Sequence, residues 1–152
     1  MAKKKSKKHV STPEIKTKEV PRRSALPGAE TSDERICWRF CHVDHEGPWG
    51  FGHVDGETLC WLMGRLGQFE TMKINEIFSN SDYPGKHYEV ESIPTTEALG
   101  RLTELQLGDM TKISCLRLQG EPRLYGFLLG NVFHVVWWDP KHEVWPSKLK
   151  HT

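Results

Sequence analysis

Residues 112–139 consist of three apolar runs separated only by short turn-forming segments, and this arrangement limits the folds open to the chain. The first run, KISCLRLQ, is followed by the turn-forming GEP, and the second, RLYGFLLG, meets the third, NVFHVVWWD, at Gly130–Asn131. Leucine, β-branched and aromatic residues in such runs favour strands, whereas Gly, Pro and Asn favour tight turns. The segment therefore predicts three consecutive antiparallel strands.

The residues before this segment predict a further strand and several helices. ICWRFCHV, residues 36–43, mixes β-branched and aromatic residues, which is typical of a strand. A helix is expected after Asp55, a candidate N-cap. Its apolar residues recur with helical spacing and are Leu59, Leu62, Met63, Leu66 and Phe69.

Between this helix and the three strands, the sequence predicts less regular structure. A short helical segment is expected at residues 73–79, and an irregular loop at residues 80–94, which are rich in Ser, Asn, Pro and Gly. A further helix should begin at Thr95 or Thr96. Its inner face is expected to carry Leu99, Leu102 and Leu105.

Alternation of side chains along the strands predicts which residues share a face of the sheet. A two-residue turn at Gly130–Asn131 would pair Leu129 with Val132, Phe127 with His134, Tyr125 with Val136, and Arg123 with Trp138. The opposite face would then be almost wholly apolar, with Leu124, Gly126, Leu128, Phe133, Val135 and Trp137. A three-residue connection around Gly120 keeps Arg117 off that apolar face, because burying an unpaired guanidinium costs several kcal/mol.

We therefore expect an α+β fold with a four-stranded, mostly antiparallel sheet, element order β-α-α-β-β-β, and helices on one face. The uncovered face is expected to present both basic and aromatic side chains. These are Arg117, Arg123, Tyr125, Phe127, His134 and Trp138, with Lys141 and His142 at the rim.

The N-terminal residues differ in charge from the rest of the chain. Residues 1–23 carry nine Lys/Arg and two Glu, a balance of +7, which leaves 12 basic and 18 acidic residues beyond them, a balance of −6. They hold too few large apolar side chains to offset the entropy lost on ordering. We expect residues 1–33 to form a disordered basic tail, which either solubilises the chain or attracts RNA, and residues 34–152 to form a single α+β domain.

The sequence also predicts where the protein resides. No apolar run approaches the roughly 18 residues that a membrane-spanning helix needs. The lysine-rich N-terminus lacks the hydrophobic stretch of a secretory signal. We therefore expect a cytoplasmic protein with no membrane partner.

The cysteines raise the question of a metal site. The run Cys37-x3-Cys41-His42-x2-His45 contains the thiols and imidazoles that zinc prefers. Structural zinc sites place their cysteines on a knuckle turn, whereas this run lies in a predicted strand and no second cysteine pair follows it. We therefore expect reduced thiols, no metal site and no small-molecule cofactor.

The predicted order of elements resembles the RelE/ParE superfamily of bacterial toxins, of which the RelE branch cuts mRNA on the ribosome. The resemblance covers about residues 36–146 and is carried mainly by LRLQGEPRLYGFLLGNVFHVVWWDPKH. This segment is similar to the family's arginine-bearing strand, turn, second strand that begins with arginine, and final apolar strand. The resemblance implies a toxin of a toxin–antitoxin system, a metal-independent endoribonuclease with RNA or the ribosome and a cognate antitoxin as partners.

The resemblance also implies roles for single residues. Arg117 and Arg123 match the arginines that clamp phosphate in the family, and Tyr125 matches by its place in the second arginine-bearing strand. His142 lies where many members carry a terminal His or Tyr near the scissile phosphate. These four are the predicted catalytic residues, and the predicted RNA-binding residues are His134, Trp138, Lys141 and Lys112.

A second hypothesis is a non-catalytic binding module that uses the aromatic and basic sheet face to hold a protein or RNA partner. Its patch would consist of Tyr125, Phe127, Trp138 and Trp145. The two hypotheses predict different geometry. An enzyme should bring His142 and the arginines to one point, whereas a binding module should expose aromatic side chains without a convergent basic set.

Overall fold

The computed structural model describes residues 33–79 and 81–147. The predicted tail, residues 1–33, lies outside the described residues except for Asp33. The helices are α1 (Gly56–Phe69), α2 (Ile74–Ile77) and α3 (Thr96–Glu104), with 3-10 turns at Phe51–His53 and Val90–Ser92. The strands are β1 (Cys37–Arg39), β2 (Gly85–Glu89), β3 (Lys112–Arg117), β4 (Arg123–Leu129) and β5 (Val132–Asp139). The predicted α+β class is confirmed.

The sheet has five strands in the order β1-β5-β4-β3-β2, with β1 parallel to β5 and the other neighbours antiparallel. The prediction of four strands is wrong because residues 80–94, expected to be an irregular loop, contain β2. This strand pairs with β3 at the edge of the sheet, where backbone hydrogen bonds form without an apolar run. The predicted first strand is also shorter than expected, since the chain turns after Arg39.

Helices cover both faces of the sheet, so the prediction of helices on one face is wrong. Leu62 and Leu66 of α1 pack with Phe133 and Val135 of β5 in one core, which we name the α1-side core. Leu102 of α3 packs in a second core, the α3-side core, on the opposite face. The other buried members of the α3-side core include Ala98, Ile113, Tyr125, Phe127 and Trp137. The face predicted to be open is therefore a second hydrophobic core.

A β-bulge in the β4–β5 hairpin changes the predicted register. The pairs of Leu129 with Val132 and of Phe127 with His134 are confirmed. Beyond them the pairing shifts by one residue, so that the predicted Tyr125–Val136 and Arg123–Trp138 pairs are wrong. The observed pairs are Tyr125 with Trp137, Leu124 with Trp138, and Arg123 with Asp139. The bulge thus sends Trp138 to the α1-side core and Trp137 to the α3-side core.

Gly126 stands at the bulge and allows the two strands to approach closely. A Cβ atom at this position would lie 2.6 Å from the Phe133 ring and would collide with the carbonyl oxygen of His134. Only glycine fits there without a shift of β5.

The buried carboxylate of Asp44 joins three parts of the fold. It accepts two hydrogen bonds from the Arg101 guanidinium of α3, at 2.8 and 2.7 Å, and one from Trp137 Nε1 of β5 at 3.0 Å. The backbone N–H groups of Glu46 and Gly47 also donate to it, at 3.1 and 2.9 Å. The hydrogen bond from Arg101 is the main cause that holds the pKa of Asp44 well below its usual range.

We predict that Asp44→Asn lowers the free energy of unfolding by about 3 kcal/mol or more, because it leaves Arg101 and part of the hydrogen-bond network without their anion. Since the folded-state pKa is lowered, the wild-type contribution is fully present above about pH 4 and decreases as the pH falls further. Chemical denaturation at several pH values measures both effects. The control is Glu104→Gln, at the exposed end of the same ion-pair chain, which should change stability by about 0.5 kcal/mol or less.

Candidate nucleic-acid interface

The β3–β4 hairpin places Arg117 directly beside Arg123, as the sequence predicts. Arg123 Nη1 donates to the carbonyl oxygens of Gly120, Glu121 and Pro122, at 2.6, 2.8 and 3.1 Å, and this holds its guanidinium over the turn. The Arg117 side chain is exposed and makes no hydrogen bond to another described residue. Two neighbouring strand ends therefore present two cations at the same rim of the sheet.

The chain after β5 brings His142 to this rim. Asp139 is buried and is the strand partner of Arg123 in the β4–β5 pair. Its carboxylate accepts hydrogen bonds from the backbone N–H groups of Glu143 and Val144, both at 2.9 Å. These bonds close the loop that carries His142, whose φ of 56° lies in the left-handed region. The His142 ring is half-buried, and its Nδ1 lies 3.3 Å from Ser147 Oγ.

The three residues lie at the same end of the sheet, because Arg117 is the strand partner of Arg123 and the loop that carries His142 is closed by Asp139, the strand partner of Arg123 on β5. Burial lowers the pKa of His142, and the positive charges of Arg123 and Arg117 lower it further, against the opposing effect of Asp139. The imidazole is therefore predominantly neutral near pH 7 and can accept a proton. We name Arg117, Arg123 and His142 the rim cluster. The three residues share one rim of the sheet, and their convergence on a single point, which an enzyme requires, remains a prediction.

Tyr125, the fourth predicted catalytic residue, lies beneath the rim cluster and is only 1% exposed. Burial raises the pKa of its hydroxyl, and the adjacent Cys115 thiol adds to the effect. Burial likewise raises the pKa of Cys115 to about 11. Both groups stay protonated at neutral pH, and neither has the exposure that contact with RNA requires, so a catalytic role for Tyr125 remains a prediction from the resemblance alone.

The predicted RNA-binding residues do not assemble at one place. Lys141 is exposed and precedes His142 in the rim loop. Lys112 lies five residues before Arg117, roughly 17 Å away along β3, and its Nζ is 3.9 Å from Glu89 Oε1. Of the four, Lys141 alone lies in the loop that carries His142.

The other two lie on β5, with His134 near the start of the strand and Trp138 near the rim but on the other face of the sheet. His134 is half-buried beside His42, with 5.9 Å between the ring centroids, and burial is the first cause that lowers its pKa. Trp138 is on the opposite face, 7% exposed, and meets Trp61 of α1 edge to face. The two tryptophans line a cleft of about 450 Å³ together with His53, Thr58, Pro122 and Pro140.

Strand β2, the residue Tyr83 before it and Trp145 after β5 add aromatic and basic side chains that sequence reasoning did not place at this site. The Arg117 guanidinium lies over the Tyr83 ring at 5.9 Å, and Lys86 Nζ lies 5.2 Å from the centroid of Tyr88. Tyr88 stacks on Trp145 at 4.1 Å. The sequence signal for this strand was weak, because GKHYE has one large apolar side chain and follows turn-forming residues. These residues extend the rim cluster into a basic and aromatic surface.

Comparison with protein-family models, curated proteins and solved structures finds no match to this chain. Within residues 33–79 and 81–147, no helix is both long and apolar enough to cross a membrane.

We predict that Arg123→Gln raises the pKa of His142, because it removes a nearby positive charge that opposes protonation. The pH dependence of the histidine ring resonances in NMR spectra measures this. Arg117→Gln should shift the pKa in the same direction. The matched control is Arg39→Gln, which should raise the pKa of His134 instead and leave His142 unchanged. An unaltered His142 titration in both rim variants would show that the three groups do not converge.

Proposed function

We propose that this chain binds single-stranded RNA at the rim cluster and cleaves it without a metal ion, as a RelE-like endoribonuclease. The observation that carries the proposal is that Arg117, Arg123 and the loop that carries His142 lie at one end of the sheet, where burial and the two arginines lower the pKa of His142. Arginine suits the binding of a phosphodiester because its planar guanidinium bonds two oxygens at once and stays charged.

The chemistry assigned to these residues is transfer of the phosphoryl group within the RNA. His142 would take the proton of a ribose 2′-hydroxyl, whose oxygen attacks the adjacent phosphorus. Arg117 and Arg123 would stabilise the negative charge that develops on the phosphorane. The bond to the 5′ oxygen then breaks, the imidazolium returns the proton to that oxygen, and the products are a 2′,3′-cyclic phosphate and a 5′-hydroxyl end.

The aromatic residues around the rim cluster support a single-stranded substrate. Unpaired bases stack on exposed aromatic rings, and each such contact is worth about 1–3 kcal/mol. Tyr83 is 58% exposed beside Arg117, and the Tyr88–Trp145 stack lies on the same side of the sheet. The cleft at Trp61 and Trp138 opens at the same end of the sheet on the other face. A strand that bends over the rim would meet aromatic side chains on both sides.

The proposal includes the cytoplasm as the place of action and mRNA on the ribosome as the substrate. The described region is net acidic in sequence, so we assign the non-specific attraction for RNA to the +7 balance of residues 1–23. The proposal also includes a cognate antitoxin. An apolar cleft of about 280 Å³ offers it a surface, because Phe40, Leu59 and Met63 line it and are 48%, 44% and 53% exposed.

The alternative of a non-catalytic module has weaker support. Tyr125 and Phe127, two of its four patch residues, are 1% and 3% exposed, which removes them from any accessible patch. The remaining form of this alternative is a module that binds RNA at the rim cluster without cleaving it.

Cleavage of a defined RNA by the purified full-length protein, in the presence of a chelator, tests the proposal. We expect the wild type to cut ribosome-bound mRNA and leave a 2′,3′-cyclic phosphate. Arg123→Ala should reduce the rate by about 10²-fold or more, since it removes charge stabilisation of the transition state. His142→Ala should reduce it by roughly 10²–10⁴-fold, since it removes proton transfer.

The charge-matched control for these variants is Arg39→Ala, which changes an exposed arginine on the far edge strand and should leave cleavage unaltered. Thermal unfolding of each variant verifies that the fold is intact. RNA binding without cleavage by the wild type would favour the non-catalytic module. Cleavage that is equal in wild type, Arg123→Ala and His142→Ala would contradict the assignment of the rim cluster.

A further inference from the structure

A second cluster of reactive side chains lies away from the rim cluster, where β1 ends. One ligand atom each from Cys41, His42 and His134 lies within 4.8 Å of the other two. Thiolate and imidazole are the groups that bind Zn²⁺ and other borderline divalent ions most readily. Two of these residues are adjacent in sequence, and the third comes from β5, more than ninety residues later.

The fold builds this cluster by looping the chain out beside β5. Arg39 is paired with His134, and the backbone N–H of Asp44 donates to the carbonyl oxygen of Val136 at 2.9 Å. Residues 40–43 therefore lie opposite a single residue of β5, Val135. They form a turn closed by a hydrogen bond from Val43 N to the Phe40 carbonyl at 3.2 Å. Cys41 and His42 occupy its two central positions and face His134.

We propose that Cys41, His42 and His134 bind a Zn²⁺ ion, with an exchangeable water as the fourth ligand. Zinc–ligand distances of about 2.0–2.3 Å place tetrahedral ligands roughly 3.3–3.8 Å apart, so the side chains need to close by about 1 Å. Cys41 and His42 are exposed at a turn, which leaves their side chains free to rotate.

A second observation supports His134 as a ligand. Its Nδ1 is buried and has no hydrogen-bond partner among the described residues. A buried ring nitrogen without a partner costs free energy, and coordination through that nitrogen would supply one. The ion would then connect the turn after β1 to the centre of the sheet, at a distance from the rim cluster.

This ligand set differs from the one that the local sequence motif suggests. Cys37 lies at the start of β1, where its thiol faces the Asn131 carbonyl at 3.7 Å. His45 lines the apolar cleft beside α1. No metal site was expected because the run from Cys37 to His45 was predicted to lie in a strand and no second cysteine pair follows it. The third ligand proposed here, His134, comes from a distant strand.

Titration of the reduced full-length protein with Co²⁺, followed by displacement with Zn²⁺, tests the proposal. The wild type should develop a thiolate-to-cobalt charge-transfer band and the visible bands of a four-coordinate ion, and Zn²⁺ should abolish both. Cys41→Ser should remove the charge-transfer band. His134→Gln and His42→Gln should each weaken Co²⁺ binding by about 100-fold or more, since loss of an outer-sphere partner alone costs 10–100-fold.

The matched controls are Cys37→Ser and His45→Gln, which should bind Co²⁺ as the wild type does. Circular dichroism identifies any variant that fails to fold, and His42→Gln, at an exposed turn, replaces His134→Gln in that event. Absence of the charge-transfer band in the wild type would overturn the proposal. So would its loss in Cys37→Ser or His45→Gln, which would assign the ion to the local motif instead. Because RNA cleavage is proposed to be metal-independent, Cys41→Ser should leave cleavage unchanged whichever result is obtained for the rim cluster.

Discussion

The buried carboxylate of Asp44 is the interaction on which the rest of the structure depends. It receives hydrogen bonds from α3, from β5 and from its own loop, so that one charged group fixes three chain segments relative to one another. Burying a carboxylate is unfavourable unless the group is paired and fully hydrogen-bonded, and the bidentate contact with Arg101 satisfies this requirement. This contact and the burial of Ala98 and Leu102 in the α3-side core together hold α3 over the sheet.

Both candidate sites lie on segments that this network holds in place. The turn that carries Cys41 and His42 ends at Asp44, and its return to β5 is fixed there. Trp137 lies next to the bulge, two residues before Asp139, whose carboxylate closes the rim loop. Both candidate sites are therefore attached to β5, although they lie at different places in the sheet.

Because helices cover both faces of the sheet, functional side chains can reach a ligand only at certain places. Because α1 and α2 pack on one face and α3 on the other, the side chains in the middle of the sheet belong to the two cores. Polar and charged groups are left at strand ends, edges and loops. The rim cluster is at such an end, and the Cys41–His42 turn is at such an edge.

Some of this arrangement could be predicted from the sequence. Local patterns were sufficient for the three-stranded meander, for α1 with its cap at Asp55, and for the placement of Arg117 beside Arg123. Helix α3 was predicted as a helix, but the side of the sheet that it covers could not be predicted. An amphipathic pattern shows which face of a helix is buried and not which side of a sheet the helix covers. Strand β2 was missed because an edge strand needs little apolar sequence.

The β-bulge between β4 and β5 was the feature whose absence from the prediction changed the placement of side chains most. A one-residue insertion opposite Gly126 moved Trp138 to the other face and put Val136 and Trp137 in the same core, and alternation alone gives no sign of it. The glycine within an otherwise bulky strand was the available signal. Likewise, the approach of His134 to Cys41 depends on the pairing of β1 with β5, which no local pattern contains.

The most direct test of the account is to map where RNA binds. Addition of a short single-stranded RNA with 2′-O-methyl groups, which cannot be cleaved by the proposed route, should shift the NMR resonances of the Arg117 and Arg123 side chains and of the His142 ring together and saturably. The rings of His42 and His134 should not respond. Shifts confined to residues 1–32, or to the end of the sheet that carries His134, would contradict the assignment of the rim cluster as an RNA-binding site.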